Sequence, residues 1–250
     1  MNAGTFRSGL SGKTALVTGG GTGIGLGIVK SLTEAGCQVA ISGRREETLR
    51  EASESISSES PILFCAADVA DRDGAQQLVA WADKALGHVD ILICSAGVNI
   101  KTRTMAEMTP EQWDHVIGVN VTGVYNCMYA VLPQMCERKD GLIINISSIA
   151  GLRASPLGGV AYNASKFAMG ALGTSVANEL RDSGVRVTTV YPGEVNTPLL
   201  DFRPVKVSDD HKAAILQPED VGDLVLAIAS LPARAHVPDV VIKPTIQEFH

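Results

Sequence analysis

Tyr162 and Lys166 stand four residues apart in a stretch whose pattern is helical, which puts the phenol and the ammonium on one helix face. A phenol has a reference pKa near ~10, and a cation within a few ångströms favours the phenolate, so the pairing can yield a tyrosine that exchanges a proton with a substrate. Ser148 follows an apolar run, 142–147, that reads as a strand. A hydroxyl at the C-terminal end of a strand lies where α/β sheets put their ligand-contacting groups, and it can donate a hydrogen bond to a carbonyl oxygen. Each feature is weak alone, because a tyrosine and a lysine four apart are more often a packing pair. Together they describe acid/base chemistry at an oxygen.

A second kind of chemistry sits near the start of the chain. The apolar run 14–18 passes into Thr18-Gly19-Gly20-Gly21-Thr22-Gly23-Ile24-Gly25, followed by Leu26, Ile28, Val29 and Leu32 at helical spacing. Glycines permit a tight turn and let backbone N–H groups approach a pyrophosphate, toward which the helix N-terminus contributes partial positive charge. The strict G-x-G-x-x-G spacing is absent and a T-G-x-x-x-G-x-G turn stands in its place. At a first strand-to-helix junction, that turn implies a bound dinucleotide.

Both sets of residues need a scaffold, and the rest of the sequence predicts one. Short runs rich in Val, Ile, Leu and Ala at 14–18, 38–42, 62–66, 91–95, 142–147, 185–191 and 240–243 alternate with amphipathic segments at 25–35, 46–57, 73–86, 110–138, 162–182 and 218–231. The alternation predicts an α/β fold: one doubly wound, Rossmann-type, seven-stranded parallel sheet with helices on both faces, in a single domain over 1–250. Thr109, Pro110 and Gln112 predict a capping box with proline at the first helical position. Gly36, Gly87 and Gly184 each stand between a helix pattern and a strand, where a left-handed residue ends a helix.

Composition bounds the partners. With 45% hydrophobic and 19% charged residues the chain reads as globular. No run of about 18 apolar residues predicts a membrane span, and no apolar core of a secretory signal is present, so the expectation is a cytoplasmic protein that engages no membrane. A formal charge of -6 goes against nucleic acid, whose binding rests on Lys and Arg neutralising phosphates. Cys37, Cys65, Cys94, Cys127 and Cys136 form no CxxC pair, which suits reduced thiols. The five histidines have no metal-ligand spacing, so no metal is expected.

Five motifs, in this order, resemble the classical short-chain dehydrogenase/reductase family: the glycine turn, Asn120 in Gly118-Val119-Asn120-Val121, the strand end Asn145-Ile146-Ser147-Ser148, Tyr162-Asn163-Ala164-Ser165-Lys166, and Pro192-Gly193. The likeness runs over 12–244. It implies a catalytic set in which Tyr162 exchanges the proton of the substrate oxygen and Ser148 polarises that oxygen. Lys166 would hold the nicotinamide ribose and tune Tyr162, and Asn120 would support a water-linked proton relay. It implies cofactor contacts from Gly19, Gly21, Thr22, Gly23, Ile24 and Gly25 in the turn and from Asp68 and Val69 after the third strand. Ala96 and Gly97 would contact the cofactor after the fourth strand, with Pro192, Gly193, Val195 and Thr197 near the nicotinamide. The segment 196–217 would cover the substrate, and the helices at 110–138 and 162–182 would join a homodimer or homotetramer. The reaction so implied is hydride transfer between a nicotinamide cofactor and a small carbonyl or alcohol substrate, as in a ketone or aldehyde reductase.

Cofactor choice rests on the second strand end. Where the resemblance would put a carboxylate to bind the adenosine ribose there is Gly43, followed by Arg44 and Arg45, whose guanidinium groups suit a 2′-phosphate. The expectation is NADP(H) over NAD(H). Against it stands the plainer possibility that both arginines belong to a solvated helix face with Glu46 and Glu47.

Three features depart from the family pattern. Cys94-Ser95-Ala96-Gly97 replaces the usual Asn-Asn-Ala-Gly, which puts the bracing of the central strands in doubt. The loop from Ser148 to Tyr162 is about one residue longer than usual. The last strand lacks an Asp-Gly-Gly ending, which goes against a fatty-acid role. A serine hydrolase would need G-x-S-x-G, and Ile93 occupies the first glycine position before Ser95. The alternatives kept are a non-catalytic dinucleotide sensor of the same fold, which would have lost one of Asn120, Ser148, Tyr162 or Lys166, and an NAD-preferring alcohol dehydrogenase.

Overall fold

A computed structural model describes residues 9–248. The strands are β1 (Thr14–Thr18), β2 (Gln38–Gly43), β3 (Leu63–Ala66), β4 (Ile91–Cys94), β5 (Gly141–Ile146), β6 (Val185–Pro192) and β7 (Asp239–Ile242). All pair in parallel, in the order β3-β2-β1-β4-β5-β6-β7, with Val17 opposite Ile41 on one side and Ile93 on the other. Every residue of β1, β4 and β5 is buried, so these strands run apolar without alternation, as strands covered on both faces must.

Successive residues point to opposite layers. Val17, Ile41, Ile93 and Ile144 face helices α1 (Gly23–Glu34) and α8 (Pro218–Ala229). Leu16, Ala40, Leu92 and Ile143 face α3 (Arg72–Leu86), α5 (Gly123–Arg138) and α6 (Val160–Glu179). Each of these Val, Leu and Ile side chains is worth about 1.5–3 kcal/mol by burial, so truncating Leu92 or Ile143 to alanine opens a cavity costing about 2–5 kcal/mol. At the N-terminal end of the sheet, buried Asp90 accepts from the Thr14 amide at 3.1 Å and pairs with Lys13 at 3.4 Å. That contact ties β1 to β4 at the end away from the glycine turn.

The remaining helices are α2 (Glu46–Ser55), α4 (Pro110–Ile117) and α7 (Asp209–Ala214). The capping box at Thr109 and Gln112 is present, and Gly36, Gly87 and Gly184 all have positive φ. The expected continuous helix over 110–138 is interrupted: Gly118–Thr122 widens into a π-helical turn between α4 and α5. Glycines at 118 and 123 lack the side chains that would resist the wider turn, and Gly123 admits Val69, which a Cβ there would meet at 2.6 Å. The stretch 110–138 is long and apolar enough to span a bilayer by composition, but half of that window is packed inside the protein. α7 and the 3₁₀ turns Ile149–Gly151 and Pro198–Phe202 were not foreseen as elements.

Because β1 is flanked by β2 and β4, the chain leaves β1 one way and returns on its other side. This is a topological switch point, and the crevice beyond the carboxyl ends of the strands there is where doubly wound sheets bind ligands.

Candidate active site

A cleft of about 1210 Å³ opens at that point, lined at one end by the glycine turn and at the other by Tyr162, Lys166 and Phe202. Gly19 has φ +69°, and a Cβ on it would meet the Ala96 backbone at 2.8 Å, so only glycine lets β1 and the exit of β4 come this close. A Cβ on Gly25 would collide with the Gly19 carbonyl, which fixes how tightly α1 springs from the turn. Thr22, the N-cap of α1, makes no side-chain capping bond, and no acidic residue stands in the first turn. The first amides of α1 therefore keep donors and partial positive charge for an anion.

Arg44 and Arg45 line the cleft at the end of β2 and are exposed. Glu46 and Glu47 pair with Arg50, at 3.0 and 2.7 Å, and not with the two arginines. Among the described residues no carboxylate is in ion-pair contact with Arg44 or Arg45, so two cations face the place where an adenosine ribose would lie. Asp68 and Val69, after β3, and Ala96 and Gly97, after β4, complete this part of the wall.

At the other end, Tyr162 and Lys166 share a face of α6. The Lys166 ammonium lies 5.5 Å from the centroid of the phenol ring and donates to the Ile146 carbonyl at 2.9 Å. Lys166 is buried, and desolvation holds its pKa at about 7, far below the usual lysine range. Burial raises the Tyr162 pKa above the usual phenol value, opposed by a hydrogen bond with Ser148 and by the nearby Arg103 guanidinium. This corrects the expectation that Lys166 brings the phenol down: both groups are desolvated, and the groups that lower Tyr162 are Ser148 and Arg103.

Asn120 is fully buried in the π turn, whose extra width turns its side chain inward. Its Oδ1 accepts from the Val98 amide at 2.8 Å, and its Nδ2 donates to the Val98 carbonyl and to Ser165 Oγ, both at 3.0 Å. It thereby clamps the loop after β4 to α6 beside Lys166. Gly97 lies between these groups: a Cβ there would stand 3.6 Å from Asn120 Oδ1 and 3.7 Å from Lys166 Nζ.

Residues 13–205 match the short chain dehydrogenase family. The chain belongs to that family. It is 36% identical to glycine betaine reductase of Emericella nidulans over 241 residues, 94% of this chain but only 19% of that much longer protein. It is 31% identical to an uncharacterized oxidoreductase of Staphylococcus epidermidis, covering 93% of this chain and 97% of that one. A metagenomic short-chain oxidoreductase solved in complex with NADP superposes with a TM-score of 0.82 at 33% identity, covering 96% of this chain and all of that one.

In this short chain dehydrogenase the replacement at Cys94-Ser95 is absorbed locally. Cys94 packs into the core against α5, and the Thr18 hydroxyl both donates to the Ile93 carbonyl and receives the Ala96 amide, each at 3.3 Å. β1 and β4 are thus braced from the β1 side. The loop between Ser148 and Tyr162 is also tied: Asn99 Nδ2 donates to the Gly158 carbonyl at 3.1 Å and Asn163 Nδ2 to the Ser155 carbonyl at 2.8 Å.

Beyond β6, Val195 and Leu216 form a bridge that closes the base of the expected cover segment. Glu194 holds the cover from beneath, pairing with Arg203 at 3.2 Å and His211 at 2.6 Å. Thr197, Leu199 and Phe202 face the cleft. Pro192 and Val195 are buried, Val195 within the core, and neither they nor Gly193, Asn120 and Ser148 line the cleft. No group of three or more His, Cys, Asp or Glu among the described residues could hold a metal, and all five cysteines are free. Arg103, which no local motif marks and which the sequence did not single out, is brought by the fold to where its charge acts on Tyr162.

Proposed function

We propose that this chain is an NADP(H)-dependent oxidoreductase that interconverts a ketone or aldehyde and its alcohol, with Tyr162 as general acid/base. The observation that carries this reading is that Tyr162 and Lys166 line one end of a cleft, with Ser148 hydrogen-bonded to the phenol, while the other end is a glycine turn with uncommitted helix amides. The dinucleotide, when bound, supplies or accepts the hydride. Gly19, Gly23 and the first turn of α1 would hold its pyrophosphate, Arg44 and Arg45 its 2′-phosphate, and Lys166 its nicotinamide ribose.

In the reducing direction Tyr162 donates its hydroxyl proton to the substrate oxygen, and Ser148, whose single hydroxyl proton is given to the phenol oxygen in the free enzyme, turns that proton to the substrate oxygen instead. Burial keeps the phenol protonated at neutral pH, the form that this direction requires. A lysine near its midpoint beside the ring can take up or release a proton as the phenolate is recharged. Asn120 holds the Val98 loop against α6 and keeps that path in register.

We also propose a homo-oligomer built on α5 and α6, in the cytoplasm. Its support is an exposed apolar face: Tyr125 and Tyr129 stack at 5.9 Å on α5, and Phe167 is 45% exposed on α6. The test of the reading as a whole is a panel of ketones and aldehydes offered with NADPH or NADH, followed through loss of reduced nicotinamide absorbance. Turnover with NADPH supports it. Tight NADPH binding with no turnover across the panel would instead favour a dinucleotide sensor.

A further inference from the structure

We propose that Arg103 is the positioning residue of the substrate mouth, fastening the loop after β4, the loop before α6 and the 198–202 turn to one another beside Tyr162. Its guanidinium bonds the backbone of all three. Nε donates to the Ile100 carbonyl at 3.1 Å, Nη1 to the Leu157 carbonyl and Nη2 to the Phe202 carbonyl at 2.8 Å. Its own carbonyl accepts from the Val160 amide at 3.1 Å, the first residue of α6.

The backbone opposite is shaped for this crossing. Gly159 has φ +80°, and a Cβ on it would stand 2.6 Å from Arg103 Cβ. The loop before α6, the one longer than the family pattern, passes Arg103 at its bare glycine. Asn99 also ties that loop to the loop after β4, but Arg103 adds the 198–202 turn, whose Phe202 lines the cleft, as does Thr102.

Charge explains why an arginine serves here. No carboxylate pairs with Arg103 among the described residues, and Arg203, which repels it, is bound to Glu194. The side chain is held by three neutral carbonyls in three directions, which a planar fork of five donors can satisfy and a lysine cannot. Its unneutralised charge then acts on Tyr162, alongside Ser148 from the β5 exit and Lys166 from α6. Moving the 198–202 turn away from the loop after β4 requires releasing the Phe202 carbonyl.

The test uses Arg103→Gln and Arg103→Lys in the full chain, without cofactor or substrate. Hydrogen exchange of peptides covering 155–160 and 198–203 should speed up about tenfold in both variants, the scale of losing one charge-assisted bond, while β1, β4 and β5 exchange as in the wild type. Titration of isotope-labelled tyrosine by NMR, with Tyr162 assigned by its absence in Tyr162→Phe, should move to higher pH in Arg103→Gln and much less in Arg103→Lys. Wild-type exchange at 198–203 in both variants, or an unmoved Tyr162 titration in Arg103→Gln, would overturn the proposal. The inference rests on the acid/base role of Tyr162 for its catalytic meaning only. If Tyr162→Phe keeps its turnover while these exchange changes appear, the reaction is misassigned and the fastening stands.

Discussion

The Lys166 ammonium lies against the face of the Tyr162 ring, 5.5 Å from its centroid, and its nitrogen donates to the Ile146 carbonyl at 2.9 Å. One turn of α6 therefore carries a buried lysine and a half-buried phenol whose interaction runs through the ring. Desolvation holds the lysine at about 7, and the same burial raises the phenol, so each group favours its neutral form.

The lysine leaves a signature in stability. Its folded pKa of about 7 lies below the 10.5 of an unperturbed lysine, so between these values the unfolded chain binds a proton that the folded one does not. Folding is penalised most below pH ~7, and the penalty is relieved as pH rises toward ~10.5. Lys166→Met should accordingly be more stable than the wild type in acid, by an amount that shrinks above neutrality, while losing activity. Denaturant titrations of both proteins across this range measure the difference; a gap that widens with rising pH would contradict the burial described for Lys166.

Ser148 tunes Tyr162 from the other side. Its hydrogen bond lowers the phenol pKa, so Ser148→Ala should raise that pKa. In the reducing direction kcat/KM falls once Tyr162 is deprotonated, and in the variant this falling limb should move to higher pH. The plateau should drop about 10²–10³-fold, as for loss of a donor to a developing oxyanion. A pH–rate profile with unchanged limb and plateau would remove Ser148 from the reaction.

Arg44 should decide between the cofactors. NADPH is expected over NADH by at least about tenfold in kcat/KM, about 1.4 kcal/mol. Arg44→Ala should erase most of that preference by weakening NADPH and sparing NADH, because Glu46 and Glu47 already have Arg50 as partner and do not draw Arg44 away. Equal selectivity in variant and wild type would assign the 2′-phosphate elsewhere.

Phe167 offers a handle on assembly. It stands 45% exposed in the middle of α6, near enough to solvent that a charge there leaves the core untouched. Phe167→Glu should convert an oligomeric wild type to monomer, since an unpaired charge at the centre of an apolar interface is strongly unfavourable. Sedimentation of both proteins at micromolar concentration reads the outcome. A wild type already monomeric there would dismiss the interface.

Much of this was legible in the sequence because it is local. β1 carries the boundaries that its apolar run predicted, and the capping box at Thr109 and Gln112 needs only neighbours in the chain. The glycine turn likewise declares its own close approaches. What was not legible depends on burial or on distant segments. The sequence pairs Tyr162 and Lys166 as charges in water, whereas the folded site is governed by desolvation. α7 has six residues, none of them buried, so no apolar period marks it. Arg103 looks like any surface arginine until three remote carbonyls converge on it.

The most direct test of the account is Tyr162→Phe, compared with the wild type for turnover of NADPH with the best carbonyl of the panel and for NADPH affinity without substrate. Loss of the hydroxyl should cut kcat/KM by about 10²–10⁴-fold, the usual worth of a general acid, and leave NADPH affinity within about threefold, because the hydroxyl acts on substrate and not on the dinucleotide. Turnover within about threefold of wild type would contradict the assignment of Tyr162 as the acid/base of this site.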